Sequence, residues 1–284
     1  MRICDMVMNG SIPPVINHEK IDTIITHSAN FHADDVAIVA LIKECHNPNV
    51  RVIRVKDVSE YEAGNGVLIA DIGEQYDGEW FYDHHQIEWR SPEECRSSIG
   101  LFWDDCGNQQ LYYKLNPFIR EIDRHDTLGE KIYKSQLCFA IADMNPQWDS
   151  RSNEAFDANF NAAVDLMSVL IRARISANLA LIRAENYIDT NVKIEKGVMY
   201  LDKAVPFREY VNKHKYEIKA VVSPHGRQGG YNCYAINGQF PAKWLNDDEK
   251  PYGIMWIHRG GRFMCECDNM ETVRYAIDNI VPIK

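Results

Sequence analysis

Apolar, β-branched runs alternate with a helical pattern through the first third of this chain, and that order leaves few folds open. Ile21–Thr26 reads as a buried strand, and Ala33–Cys45 carries Val36, Ala40 and Leu41 at the spacing of an amphipathic helix. Val50–Val55, Gly66–Asp71 and Trp80–Tyr82 then return to strand. Strands separated by helices favour a parallel sheet, and a parallel sheet needs both faces covered. The expected fold is therefore α/β, a mostly parallel sheet with helices on both faces.

Beyond that sheet, Ser97–Cys106 and Gln109–Arg124 read as helices, the second with a break or restart near Pro117. Residues 1–20, with Pro13-Pro14, read as an irregular lead-in. The pattern from Phe156 to Thr190 is helical with no Pro or Gly inside, long enough to serve as an arm between two domains. After Asn191 the texture changes to short apolar segments punctuated by Gly and Pro: Val192–Ile194, Gly197–Leu201, Ile218–Val222, Tyr231–Ile236, Ile254–His258 and Phe263–Cys267. Glu271–Ile280 closes the chain as a helix. The expected division is a first domain over 1–190 and a smaller α+β domain over 191–284.

The net charge of −10 excludes a broadly basic, nucleic-acid-coating surface, but not an enzyme that meets phosphate locally. No apolar stretch approaches the ~20 residues of a membrane span. Met1 to Pro14 lacks the basic start and apolar core of a secretory signal. Eight scattered Cys without a C-x-x-C pair fit a reduced, cytoplasmic protein, and Cys265 and Cys267 fit neighbours on one strand face.

Chemistry-bearing residues gather where strands end. His27, His32, Asp34 and Asp35 follow the first strand, Asp71 closes the third, and Asp83-His84-His85 follows the fourth. A fourth cluster, Glu121 to Asp126, lies on a helix. Each has an ordinary explanation: Asp34 or Asp35 as a helix cap, His27 and Asp71 as turn residues, Asp123 and Asp126 as solvated charges. Parallel strands end on one edge, however, so these groups converge there. Convergent carboxylates repel, and a divalent cation removes that penalty. Mixed His and Asp ligands suit manganese, zinc or iron(II). Two ions roughly 3.5–4 Å apart are a common device for phosphoester hydrolysis.

Asp83-His84-His85 after a strand, with Asp71 upstream and His27 after the first strand, resembles the DHH phosphoesterase superfamily. Thr26-His27-x3-Phe31-His32-x-Asp34-Asp35 is similar to one subgroup, the melanocyte-proliferating-gene exonuclease family. Tyr82 to Gln86, Ser97-Ser98-Ile99-Gly100-Leu101, Ile122-Asp123-x2-Asp126 and Ile257-His258-x2-Gly261-x-Phe263 extend the likeness along the chain. The resemblance implies two manganese ions, with magnesium or another divalent metal as substitutes. His27 and His32 would hold one ion. Asp34, His84 and Asp123 or Asp126 would hold the other, Asp123 being favoured, and Asp71 would bridge them. His85 would meet the substrate phosphate or leaving oxygen, oriented by Asp83. Most superfamily members carry Asp where His32 stands, and the subgroup shares the histidine. Its Arg-Pro-Leu-Pro-type stretch is reduced here to Phe240-Pro241-Ala242-Lys243-Trp244.

The expected activity is hydrolysis of nucleic-acid phosphodiester bonds by two-metal activation of water, as a 3'-5' exonuclease on RNA or short oligonucleotides. The alternatives are a small-phosphate hydrolase such as a pyrophosphatase, and an idle relative that binds nucleic acid or protein. The resemblance implies that the second domain binds the substrate, and there His225 and Arg227, and His258 and Arg259, lie in Gly-containing stretches that read either as phosphate cradles or as hairpin turns. No membrane partner is expected, and a homo-oligomer is allowed.

Overall fold

The computed structural model describes residues 2–214, 218–225 and 229–283. The chain forms two compact units, Met1–Leu179 and Ala180–Lys284. The division falls inside the long helix rather than at its end.

The first unit contains α1 (Ile3–Met8), β1 (Thr23–His27), α2 (Ala33–Cys45), β2 (Arg51–Val55), β3 (Val67–Ala70) and β4 (Phe81–Tyr82). There follow α3 (Ser98–Cys106), α4 (Asn116–Leu128), α5 (Gln136–Ala142) and the greater part of α6 (Asn153–Asn191). The four strands pair in the order β2-β1-β3-β4, every neighbour parallel. Thr23 stands opposite both Arg51 and Val67, so β1 is central. The chain leaves β1 toward β2 on one side and later takes up β3 on the other. The β1–β3 junction is thus a point where the winding reverses, the place where open α/β sheets leave a crevice at their carboxyl ends.

Helix α2 departs from its amphipathic pattern: every residue but Lys43 is buried. The lead-in read as irregular supplies α1, whose Ile3 and Cys4 are buried, and α2 packs against α1, α3, α4 and α5 as well. Glu44, which a solvated helix face would have left in water, is buried instead. It accepts from Arg172 Nε (2.8 Å) and Nη2 (2.6 Å) of α6 and from the Ile3 backbone N–H (3.0 Å). Pro117 acts as a start rather than a kink: α4 begins at Asn116 with the proline in its first turn, where a missing N–H costs nothing. Within the first unit α6 buries Phe156, Phe160, Val164, Met167, Ile171 and Ile175, an apolar stripe of period three to four.

The second unit holds the end of α6, then β5 (Lys193–Glu195), β6 (Val198–Tyr200), α7 (Arg208–His214), β7 (Ala220–Pro224), β8 (Tyr231–Ala235) and β9 (Gly238–Gln239). A 3-10 turn (Ala242–Leu245), β10 (Ile254–Ile257), β11 (Met264–Cys267), α8 (Met270–Asp278) and β12 (Val281–Pro282) complete it. Six strands form a mixed sheet, β10-β11-β8-β7-β6-β5, in which β6 and β7 run parallel. Ile188 of α6 and Tyr210 and Val211 of α7 belong to one core cluster with Met199 and Val221. Val273, Ala276 and Ile277 of α8 belong to another with Val222 and Cys233. Cys265 and Cys267 share a buried strand face with sulfurs 3.8 Å apart. All eight cysteines are unpaired thiols. Among the described residues, no helix is long and apolar enough to cross a membrane.

Candidate metal centre

Three of the four strands of the first sheet, β1, β3 and β4, deliver their last residue or the next few to one edge. His27 ends β1, Asp71 follows β3 directly, and Asp83-His84-His85 follows β4. Asp71 has a left-handed backbone (φ 58°), unusual for a residue with a side chain, and its N–H donates to Tyr82 O (2.9 Å). The bend holds the Asp71 carboxylate among the surrounding imidazoles. His32 caps α2 in extended backbone, and its N–H donates to Asp35 Oδ1 (2.9 Å), so the carboxylate closes the helix start. The other oxygen of Asp35 lies 3.2 Å from His27 Nε2. The two readings of Asp35, cap and site residue, are both met by one side chain.

Asp71 is the hub. Its Oδ2 is 3.2 Å from His27 Nε2, and its Oδ1 is 3.5 Å from His84 Nδ1 and 3.9 Å from His85 Nδ1. Ser98 Oγ donates to the same Oδ1 (2.9 Å) and lies 3.2 Å from His84 Nδ1. His84 Nε2 meets Asp126 Oδ2 at 2.9 Å, and its Nδ1 is 3.9 Å from Asp34 Oδ2. Ligand atoms within 4.8 Å of one another fall into overlapping sets: His27, His32, Asp71; His32, Asp34, Asp126; Asp34, Asp35, Asp71; and Asp71, Asp83, His84, His85. The structure therefore gathers His27, His32, Asp34, Asp71, Asp83, His84, His85 and Asp126 at one edge.

Asp123 is turned elsewhere. Its Oδ1 accepts from the Ser97 N–H (3.0 Å) and Oγ (2.9 Å), and its Oδ2 from Arg120 Nη1 (2.8 Å). Three residues span about 300° of helix, and in α4 that offset carries Asp126 to His84 and leaves Asp123 against the start of α3. The sequence preference for Asp123 as the helix-borne ligand does not match this placement.

The electrostatics are those of crowded carboxylates balanced by imidazoles. Burial, then the charges of Asp126, Asp71 and Asp35, push the Asp34 carboxyl well above its ordinary value, and Asp34 Oδ1 has no hydrogen-bond partner. Asp35 is raised too, chiefly by burial, against the pull of His27. Burial also opposes ionisation of Asp71, but His27, His84 and His85 outweigh it and hold its carboxyl at about 2. His27 pays for burial yet is lifted to about 11 by hydrogen bonds to Asp35 and Asp71. Asp83 raises His85 to about 9 through a 2.6 Å bond to Nδ1. Asp83 Oδ2 is fixed in turn by the Glu74 N–H (2.7 Å). A divalent cation bound here would compete with the proton that Asp35 and Asp71 hold on the His27 ring.

Ser98 was legible only as part of a Ser-Ser-Ile-Gly-Leu likeness with no role attached. Nothing in a lone serine at a helix start announces that it will touch Asp71 and His84 from two other segments.

In the second unit, His225 Nε2 is 3.4 Å from Glu266 Oε1. Arg227 lies outside the described residues. His258 Nδ1 accepts from the Gly261 N–H (3.2 Å) while its ring packs on Phe263, centroids 4.3 Å apart, so it serves a hairpin turn. Arg259 is exposed beside it. Phe240 and Trp244 stack in the core, their centroids 6.1 Å apart.

The sequence model of the family MYG1_exonuc, described as "Uncharacterised protein family (UPF0160)", matches residues 23–242. "MYG1 protein YER156C" of Saccharomyces cerevisiae is 24% identical over 258 residues, covering 75% of this chain and 74% of that one. "MYG1 protein C694.04c" of Schizosaccharomyces pombe is 33% identical over 150 residues, covering 50% of this chain and 45% of that one. Among solved structures, an exopolyphosphatase-related protein from Bacteroides fragilis aligns over 92% of this chain and 91% of that one. Its identity is 11% and its TM-score 0.21, too low to carry weight.

Proposed function

The chain belongs to the MYG1_exonuc family, and we propose that it is a divalent-metal-dependent phosphoesterase that removes nucleotides from RNA or short oligonucleotides, working as a 3'-5' exonuclease. The observation that carries the metal-dependent part is Asp34: a wholly buried carboxylate, one oxygen without a partner, facing three other carboxylates. Such a group is stable in its charged form only beside a cation. The donor set of imidazole nitrogens and carboxylate oxygens fits manganese well and magnesium less closely. His27, His32 and Asp71 would hold one ion, and Asp34, Asp71, His84 and Asp126 the other. When bound, such ions lower the pKa of a water and offset charge gathering on the phosphoryl oxygens.

The chain's own groups supply the rest. His85 is half exposed and carries a proton held there by Asp83. In this reading Nδ1 stays bonded to Asp83 while Nε2 meets a phosphoryl oxygen or gives a proton to the departing alkoxide. Glu74 N–H fixes Asp83, so the acid keeps one orientation. Ser98, between Asp71 and His84, keeps both turned toward the edge. The exonuclease part rests on the family's name and on the motif likeness that led to it.

To test this, the purified chain is incubated with labelled single-stranded RNA and manganese, with and without chelator, beside His84→Ala. Mononucleotide release that needs metal and is lost in the variant is the expected result. Failure to hydrolyse RNA, DNA or pyrophosphate with any divalent metal would sink the phosphoesterase reading. Pyrophosphate turned over far faster than RNA would replace the nuclease reading with that of a small-phosphate hydrolase.

A further inference from the structure

In the second unit, a concavity of about 220 Å³ opens beside α7 and β8. Phe207, Tyr234 and Phe263 line it, and Arg208, Asn212 and Asn237 stand along it. The Phe207 and Tyr234 rings are 4.9 Å apart at 59°, and the Arg208 guanidinium sits 5.1 Å from the centre of the Phe263 ring. Arg208, Asn212 and Asn237 are exposed. Among the described residues, none of these three side chains has a hydrogen-bond or ion-pair partner. Asn237 occupies a left-handed turn position (φ 53°) directly before β9.

We propose that this concavity, walled by Phe207, Tyr234 and Phe263 and edged by Arg208, Asn212 and Asn237, binds a nucleobase. The part-exposed edges of Tyr234 and Phe263, backed by the buried Phe207, offer aromatic surface to a flat π-system, and stacking on such surface tolerates any base. The two amides each present a donor and an acceptor, the pattern that pairs with base edges, and a guanidinium held over a ring adds a planar stacking surface with outward donors. A bare phosphate suits the pocket poorly, because its charge would lose water against aromatic walls and gain one cation. That the ligand is the base of a substrate nucleotide rests on the phosphoesterase reading above; the binding itself does not.

The full chain carrying His84→Ala is titrated calorimetrically, in chelator, with adenosine monophosphate, uridine monophosphate and ribose phosphate. Both nucleotides are expected to bind, with ribose phosphate weaker by about tenfold or more, the scale of one base stacked on an aromatic platform. Arg208→Ala, at an exposed position, is expected to weaken both nucleotides by about tenfold and leave ribose phosphate unchanged. Phe263→Leu, checked for folding by circular dichroism, is expected to do the same. Ribose phosphate binding as well as the nucleotides, no nucleotide binding at all, or full nucleotide binding in Arg208→Ala overturns the proposal. Wild-type turnover of pyrophosphate and bis-p-nitrophenyl phosphate, which lack a nucleobase, tests the metal centre separately. Nucleotide binding that is lost in Arg208→Ala, in a protein that hydrolyses nothing, supports the pocket and removes the phosphoesterase reading alone.

Discussion

Gly100 and Asp123 compete for one space: a Cβ on Gly100 would lie inside the van der Waals envelope of the Asp123 carboxylate. Helices α3 and α4 approach this closely because the Asp123 carboxylate receives both Ser97 donors at the start of α3. Gly100→Ala is therefore expected to lower stability by about 1–3 kcal/mol, the usual cost of overpacking a tight contact. Urea denaturation of the two proteins measures it, and an unchanged midpoint would show that Asp123 can move aside freely.

Asp123 and Asp126 lie three residues apart in different surroundings, one against Ser97 and Arg120 and the other against His84. Asp126→Asn is expected to weaken manganese binding by more than about tenfold, since Asp126 reaches the His84 ring. Asp123→Asn should leave manganese affinity within a few-fold and lower stability instead. Calorimetric titration of both variants separates the two; equal losses of affinity would return Asp123 to the candidate ligands.

Burial lifts the Asp123 carboxyl to about 6 despite its bonds to Ser97. A carboxyl raised on folding contributes stability in full below its unfolded value and loses it as pH rises through the folded one. Across about pH 4 to 7 the loss approaches 3 kcal/mol as an upper figure, from a shift of roughly two units. The difference in unfolding free energy between wild type and Asp123→Asn, followed in chelator, should change in that window and be flat above it. A difference that is constant with pH would mean that Asp123 is ionised at its ordinary value.

Metal binding must displace protons. His27 holds its proton up to about 11 between Asp35 and Asp71, and a metal would need the lone pair on that same nitrogen. Manganese binding at neutral pH is expected to release protons, and affinity to rise about tenfold per pH unit for each one released. Calorimetry in buffers of different ionisation enthalpy counts them. Identical apparent enthalpies in every buffer would show that His27 takes no part.

His85 as a proton donor predicts a dependence on the leaving group. Removing it by His85→Ala should slow cleavage of RNA by about 10²–10⁴. An ester of p-nitrophenol, whose departing oxygen needs no proton, should be affected far less. Equal loss on both substrates would assign His85 to phosphate binding or to the metal instead.

The parallel sheet was legible because its strands are apolar runs of the right length, and α2 was read from Ala33 to Cys45 at its observed bounds. Helices α1, α5 and α7 were not. Each has six or seven residues, too few to show a period, and each is held by tertiary packing more than by its own pattern. Within the candidate site, His27, Asp71 and the Asp83–His85 run could be placed because strand ends converge by rule. The choice between Asp123 and Asp126 could not, because it depends on the rotation of α4 against α3, where Asp123 meets Ser97 and the bare backbone of Gly100. Ser98 was hidden for the same reason, its partners coming from segments far apart in the chain.

The left-handed bend at Asp71 ties backbone shape to charge in one residue. Asparagine tolerates that bend nearly as well as aspartate, whereas alanine or glutamate would strain it. Asp71→Asn removes the charge while keeping both the local path of the chain and the size of the side chain. That makes it the natural decoy: a protein expected to keep its shape, to let its substrate go uncut, and so to hold that substrate long enough to be pulled from a cell extract and sequenced.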